Sequence, residues 1–161
     1  MSARPSITIR QVERFAFRVE FGPAFVPLLT DEPVPIGAGE GPSPEQVLIA
    51  AVSNCLCASL VFALGKYRQD GGGVSAEASG RIGRNADGRL RLDGIDVSIA
   101  LGADAASMDR IDRVLEQFEQ FCTVSESVKA GIPVAVTVRD GQGHRLKEPP
   151  LQAAREGEAT P

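Results

Sequence analysis

SPEQVLIAAVSNCLCASLVFALG, from Ser43 to Gly65, decides the fold. Ser43 suits an N-cap, Pro44 the first helical position, and Gln46 stands three after the cap. Together they form a capping box with proline just inside it. The pattern predicts a helix from Pro44 to about Gln69, stopped at Gly71-Gly72-Gly73. From Gln46 to Gly65 there is no charge. The run is long enough for a membrane span. However, Gln46, Ser53, Asn54, Cys57 and Ser59 interrupt it and no Trp belt flanks it. The better reading is a buried helix, enclosed by its own sheet or by a second subunit. A chain of 161 residues has little material for that enclosure, so the helix already hints at an oligomer.

Outward from the helix, the chain reads as one domain over residues 1–146 and a frayed tail over 147–161. Residues 6–21 alternate and predict two short strands or one long hairpin. The Pro- and Gly-rich stretch 22–42 predicts turns, with one short strand near Phe25–Leu29. Val74–Gly83 and Leu90–Leu101 predict strands around a turn at Asn85–Gly88. Residues 105–121 carry apolar positions at helical spacing behind a cap at Asp104. A short helix from Thr123 to about Lys129 and a strand Ile132–Arg139 follow, with Gly131 and Pro133 between them. Strands, helix, strands, helices, strand is an α+β order rather than repeated βαβ units.

The net charge of −4 and a sequence pI near 5.1 argue against a nucleic-acid surface, which needs a basic stripe. MSARPSITIR carries no apolar segment of the kind an export signal needs, so a cytoplasmic setting is expected. Cysteine pairs there are more often catalytic or redox-sensing than structural. His144 is the only histidine, and no acidic or thiol cluster accompanies it, so no metal site is expected. Gly71–Gly73 lacks the Lys-Ser/Thr of a phosphate loop.

Three cysteines remain. Cys55 and Cys57 are two apart on a helix, roughly 200° around its axis, so they face opposite sides. Cys55 shares its face with Ala51, Val52, Ser59 and Phe62, and Cys57 reads as packing. Cys122 falls where one helix ends and the next begins. Backbone N–H groups of the new helix can stabilise a thiolate there. Cys55 has no such help and needs a nearby charged group. Glu45 lies about 15 Å earlier on the same helix, so it can act on Cys55 only by holding an arginine that does. Spacing alone leaves two readings open. Cys55 and Cys122 are either inert packing or the halves of a redox pair.

Pro44-Glu45-Gln46-Val47-Leu48, followed by small residues and Cys55, resembles the central-helix signature of the osmotically inducible protein C and organic hydroperoxide resistance (OsmC/Ohr) family. Phe121-Cys122-Thr123-Val124-Ser125 resembles that family's second motif, commonly Cys-Pro-Val-Ser. The approach Asp31-Glu32-Pro33 to Pro44 and the ending Gly131-Ile132-Pro133-Val134 also fit, so the resemblance spans roughly residues 14–140. It implies an OsmC-like fold in which two chains intertwine as a homodimer, their long central helices buried and wrapped by antiparallel β-sheets.

The resemblance also implies a thiol-dependent peroxidase that reduces organic hydroperoxides, with hydrogen peroxide as a further candidate substrate. Cys55 matches the attacking cysteine, Cys122 the resolving one, and Glu45 the carboxylate that orients an arginine. The cycle would pass through a Cys55 sulfenic acid and a Cys55–Cys122 disulfide, restored by an external thiol or a lipoylated protein. No cofactor, nucleic acid or membrane partner is implied. The chain departs from the family at two places. Arg18, Arg14 and Arg10 stand near the family's arginine position without matching it, and Thr123 replaces the usual proline. The alternative is a member of the same fold that binds a small apolar ligand or senses peroxide without efficient turnover.

Overall fold

The computed structural model describes residues 4–149, in two compact units that divide after Leu48. The tail expected from 147 lies outside the described residues from 150 onward; Lys147 itself ends a strand.

In the first unit, β1 (Thr8–Glu13), β2 (Ala16–Glu20) and β3 (Leu28–Thr30) form an antiparallel sheet in that order. The alternating stretch 6–21 is therefore a hairpin, turned at Arg14, whose φ is 41°. The short third strand falls slightly later than the sequence predicts. Asp31 follows it, buried, and its carboxylate accepts the N–H groups of Glu32, Ala38 and Glu40 at 2.8, 2.9 and 3.2 Å. Burial pushes this carboxyl up, but the amide donors outweigh it and its pKa lies below the ordinary value. The buried carboxylate so ties the loop that leads to α1.

α1 runs from Pro44 to Lys66. Its capping box forms as the sequence predicts: the Ser43 N–H donates to Gln46 Oε1 at 2.9 Å, and the Gln46 N–H to Ser43 Oγ at 3.4 Å. The helix ends before the glycine triplet. The Gln69 N–H donates to the Leu64 carbonyl at 2.9 Å and the Arg68 N–H to the Gly65 carbonyl at 3.0 Å. This is a Schellman closure, with Arg68 in the left-handed region at φ 55°.

In the second unit, β4 (Val74–Arg84), β5 (Leu90–Leu101), β6 (Val134–Arg139) and β7 (Arg145–Lys147) form a sheet in that order. The β4–β5 hairpin is antiparallel, with Val74 opposite Leu101 and Arg84 opposite Leu90. β5 and β6 are parallel, because the intervening helices return the chain to the same end of the sheet. Alternation along β5 buries Ile95, Val97, Ile99 and Leu101, and β6 adds Val136 and Val138. These side chains join Val52, Leu56, Leu60, Ala63 and Leu64 of α1 in one core.

The helix expected over 105–121 is broken. A 3-10 turn at Ala105–Ser107 is capped by Asp104, whose side chain accepts the Ala106 N–H at 2.9 Å. Met108 then leaves helical conformation, at φ −124° and ψ 87°, and is buried in the core. α2 covers Ile111–Gln117, a second 3-10 turn Phe118–Phe121, and α3 Thr123–Val128. The sequence periodicity survives because Val114, Leu115 and Phe118 still face inward.

Only one side of α1 is covered. Ala51, Asn54, Ala58, Val61, Phe62 and Gly65 recur at helical spacing and are exposed. By length and composition α1 could cross a membrane, yet its other side is core.

Candidate active site

The second unit brings Cys55 and Cys122 together. Cys55 stands half-buried in the middle of α1; Cys122 is fully buried at the junction of the second 3-10 turn and α3. Both are free thiols, and Cys122 stands close enough to Cys55 to act on its proton.

Cys122 is held through backbone and sulfur alike. Its N–H donates to the Glu119 carbonyl at 2.9 Å, and its own carbonyl accepts the Glu126 N–H at 3.0 Å. Its backbone is extended, at φ −84° and ψ 94°, which makes it the N-cap of α3. The sulfur takes the place of a capping oxygen and accepts the Ser125 N–H at 3.3 Å.

Burial pushes the Cys55 thiol above its ordinary pKa, and the facing Cys122 thiol adds to the rise. Two groups oppose it: the Val124 backbone N–H and the Ser59 hydroxyl. The Ser125 amide of α3 thus holds the Cys122 sulfur, and the Val124 amide before it draws the Cys55 thiol down against burial. The donor turn expected to help only Cys122 serves both. Cys57, on another face of α1, is raised by burial alone.

The junction that carries Cys122 is braced by charge. Lys129 Nζ bonds Glu119 at 2.8 Å and Glu126 at 2.9 Å, and Lys147 Nζ lies 3.1 Å from Glu119. Burial raises the Glu119 carboxyl, but the two ammonium groups outweigh it and its pKa falls. Burial lowers Lys129, but its two carboxylate partners outweigh that and its pKa rises. Beside the thiols, the Phe62 and Phe121 rings meet edge to face at 5.3 Å, with Lys66 Nζ 5.2 Å from the Phe121 centroid. Helical spacing placed Phe62 on the Cys55 face; its partner Phe121 came from a different element and was not legible.

Glu45 lies in the first turn of α1 and belongs to the first unit; its carboxylate accepts the Ser43 hydroxyl at 2.7 Å. Arg10 and Arg18 stand on β1 and β2, exposed, and Arg14 on the turn between them. His144 serves structure. With the Gln142 and Ala105 amides, its N–H and its ring surround the fully buried Asp140 carboxylate, at 2.8 Å for the His144 N–H. Among the described residues no group of His, Cys, Asp and Glu is arranged to hold a metal.

The site residues missed by sequence reasoning are Ser59 and Val124. The signal for Ser59 was its spacing, one turn after Cys55 on the same face.

Comparison with known proteins identifies the fold and the family. No curated protein matches the chain. Among solved structures, an OsmC-like protein from Mycoplasma pneumoniae superposes with a TM-score of 0.73 at 15% identity, covering 87% of this chain and 99% of that one. An organic hydroperoxide resistance protein from Elizabethkingia anophelis gives 0.69 at 18% identity, with coverages of 87% and 99%. An organic hydroperoxide resistance protein OsmC from Legionella pneumophila gives 0.67 at 15% identity, with coverages of 85% and 98%. These likenesses establish the shared fold. The family described as OsmC-like protein matches residues 37–137, a span that holds both cysteines and the helix between core and solvent. The chain belongs to the OsmC-like protein family.

Proposed function

We propose that the protein is a thiol peroxidase that protects against organic hydroperoxides. The observation that carries this reading is the meeting of Cys55 and Cys122, remote in sequence, with the Val124 amide and the Ser59 hydroxyl drawing the Cys55 thiol down against its burial. Family membership and the hydroperoxide resistance proteins of the same fold support a role in peroxide stress.

The chemistry follows from the pair. The Cys55 thiolate attacks the terminal peroxide oxygen; an S–O bond forms as the O–O bond breaks. The sulfur gives up two electrons, and the departing alkoxide takes a proton and leaves as an alcohol. Cys122 then attacks the sulfenic sulfur. An S–S bond forms, the S–O bond breaks, and the hydroxyl leaves as water with the Cys122 proton. An external dithiol or lipoylated protein returns both thiols by exchange. Glu45 is assigned, by the family pattern, to orient an arginine toward Cys55.

The working unit is a homodimer. The exposed side of α1, with Val61 at 54% and Phe62 at 60% exposure, is an apolar stripe with small residues that let a second helix approach.

One observation favours the alternative of a binding or sensing protein without rapid turnover: burial keeps the Cys55 thiol protonated to higher pH. Peroxide consumption separates the two. Cys55→Ser abolishes it, and Cys122→Ser leaves a single oxidation without recycling. Variants that consume organic hydroperoxide like the parent exclude the peroxidase reading.

A further inference from the structure

Four serines sit inside α1 and α3, Ser53, Ser59, Ser125 and Ser127, and their hydroxyls are used differently. Ser53 Oγ donates back along α1 to the Ile49 carbonyl at 2.8 Å, and Ser127 Oγ along α3 to the Thr123 carbonyl at 2.8 Å. That bond to the carbonyl four residues earlier is the ordinary fate of a helical serine. Ser59 makes no such bond among the described residues. It is 6% exposed, so water does not satisfy it freely. It stands four residues after Cys55, on the same face of the same helix, where side chains stack one above the other. Its hydroxyl is therefore within reach of the Cys55 side chain as well as of the Cys55 carbonyl. The groups that act most on the Cys55 sulfur are the Cys122 thiol, the Val124 amide and the Ser59 hydroxyl.

We propose that the Ser59 hydroxyl donates a hydrogen bond to Cys55 Sγ and is a catalytic residue of the peroxide reaction. The assignment rests on the reading of Cys55 as the attacking thiol. The bond is charge-assisted once the sulfur is ionised, and so favours the thiolate over the thiol. The hydroxyl keeps its own proton throughout; the alkoxide is protonated from solvent.

The test compares Ser59→Thr with Ser59→Val, which have nearly the same shape but differ in the hydroxyl, alongside Ser59→Ala and the control Ser53→Ala. The rate of Cys55 alkylation by iodoacetamide is followed by mass spectrometry from pH 6 to 10. A hydrogen bond to a charged group is worth roughly a tenfold change in thiolate fraction. Ser59→Val and Ser59→Ala are expected to move the midpoint upward and slow alkylation about tenfold below it. Ser59→Thr and Ser53→Ala should follow the parent. Coincident profiles for Ser59→Thr and Ser59→Val, at equal melting temperatures, overturn the proposal. Alkylation needs no peroxide. A parent that alkylates in the expected pattern but consumes no hydroperoxide would sink the peroxidase reading and leave the Ser59–Cys55 bond standing.

Discussion

Replacing Cys122 with alanine takes away a helix cap and a neighbouring thiol in one step, and the two losses have opposite signatures. The cap is the contact from the Ser125 N–H to the sulfur at 3.3 Å. Loss of an N-cap acceptor costs about 1 kcal/mol. The side chain is fully buried, and the packing lost with the sulfur adds about 1 kcal/mol more. For a protein of this size each kcal/mol is worth about 2–4 °C, so the melting temperature should fall by about 4–8 °C. Cys122→Ser keeps an oxygen in the capping position and should fall less. Cys55 moves the other way. The facing thiol holds its pKa up, and the space left by its removal reduces the burial that raises it most. The Cys55 midpoint should therefore drop, and its alkylation at neutral pH should quicken, in a variant that is less stable. Calorimetry and alkylation rates across pH give both readouts from one preparation. A Cys122→Ala protein whose Cys55 titrates at or above the parent value refutes the facing of the two sulfurs.

Leu56 is fully buried at the centre of the core, so Leu56→Ala should cost about 2–5 kcal/mol in denaturant unfolding. Ser125 Oγ is buried without a partner among the described residues, so Ser125→Ala, which keeps the amide on Cys122, should leave stability unchanged or raise it by about 1 kcal/mol. For Asp140, burial raises the carboxyl, but the His144 and Ala105 donors outweigh it and the folded pKa lies below the ordinary 3.8. The contribution is therefore present above that value and lost as pH falls through the folded pKa. Asp140→Ala should unfold more readily near neutrality and lose less than the parent on acidification below pH 4, as read by melting temperature against pH.

The start of α1 was legible because a capping box is local: Ser43 and Gln46 satisfy each other without help from the rest of the chain. Its end was not, because a non-glycine residue, Arg68, takes the left-handed position that closes the helix three residues before the expected stop at Gly71–Gly73. The helix over 105–121 misled through Met108, whose apolar character fits the helical stripe while its burial breaks the helix. The strands β4 and β5 were read nearly to their limits, since alternation and a turn at Asn85–Gly88 define them. The parallel pairing of β5 with β6 depends on where the helices return the chain, which no local pattern encodes. At the site, residue types gave Cys55 and Cys122 as candidates, and only the resemblance joined them. The share of Ser59 and Val124 stayed hidden because a serine or an amide in a helix has several possible acceptors, and tertiary packing chooses among them.

Val124 and Ser125 are neighbours in one turn, yet each answers to a different sulfur. The backbone at the start of α3 thereby registers sulfur chemistry. Ionising Cys55 gives the amide that acts on it a charged acceptor; tying the cysteines together takes that charge away. Solvent exchange of those two amide protons then becomes a gauge of oxidation state that needs neither substrate nor label.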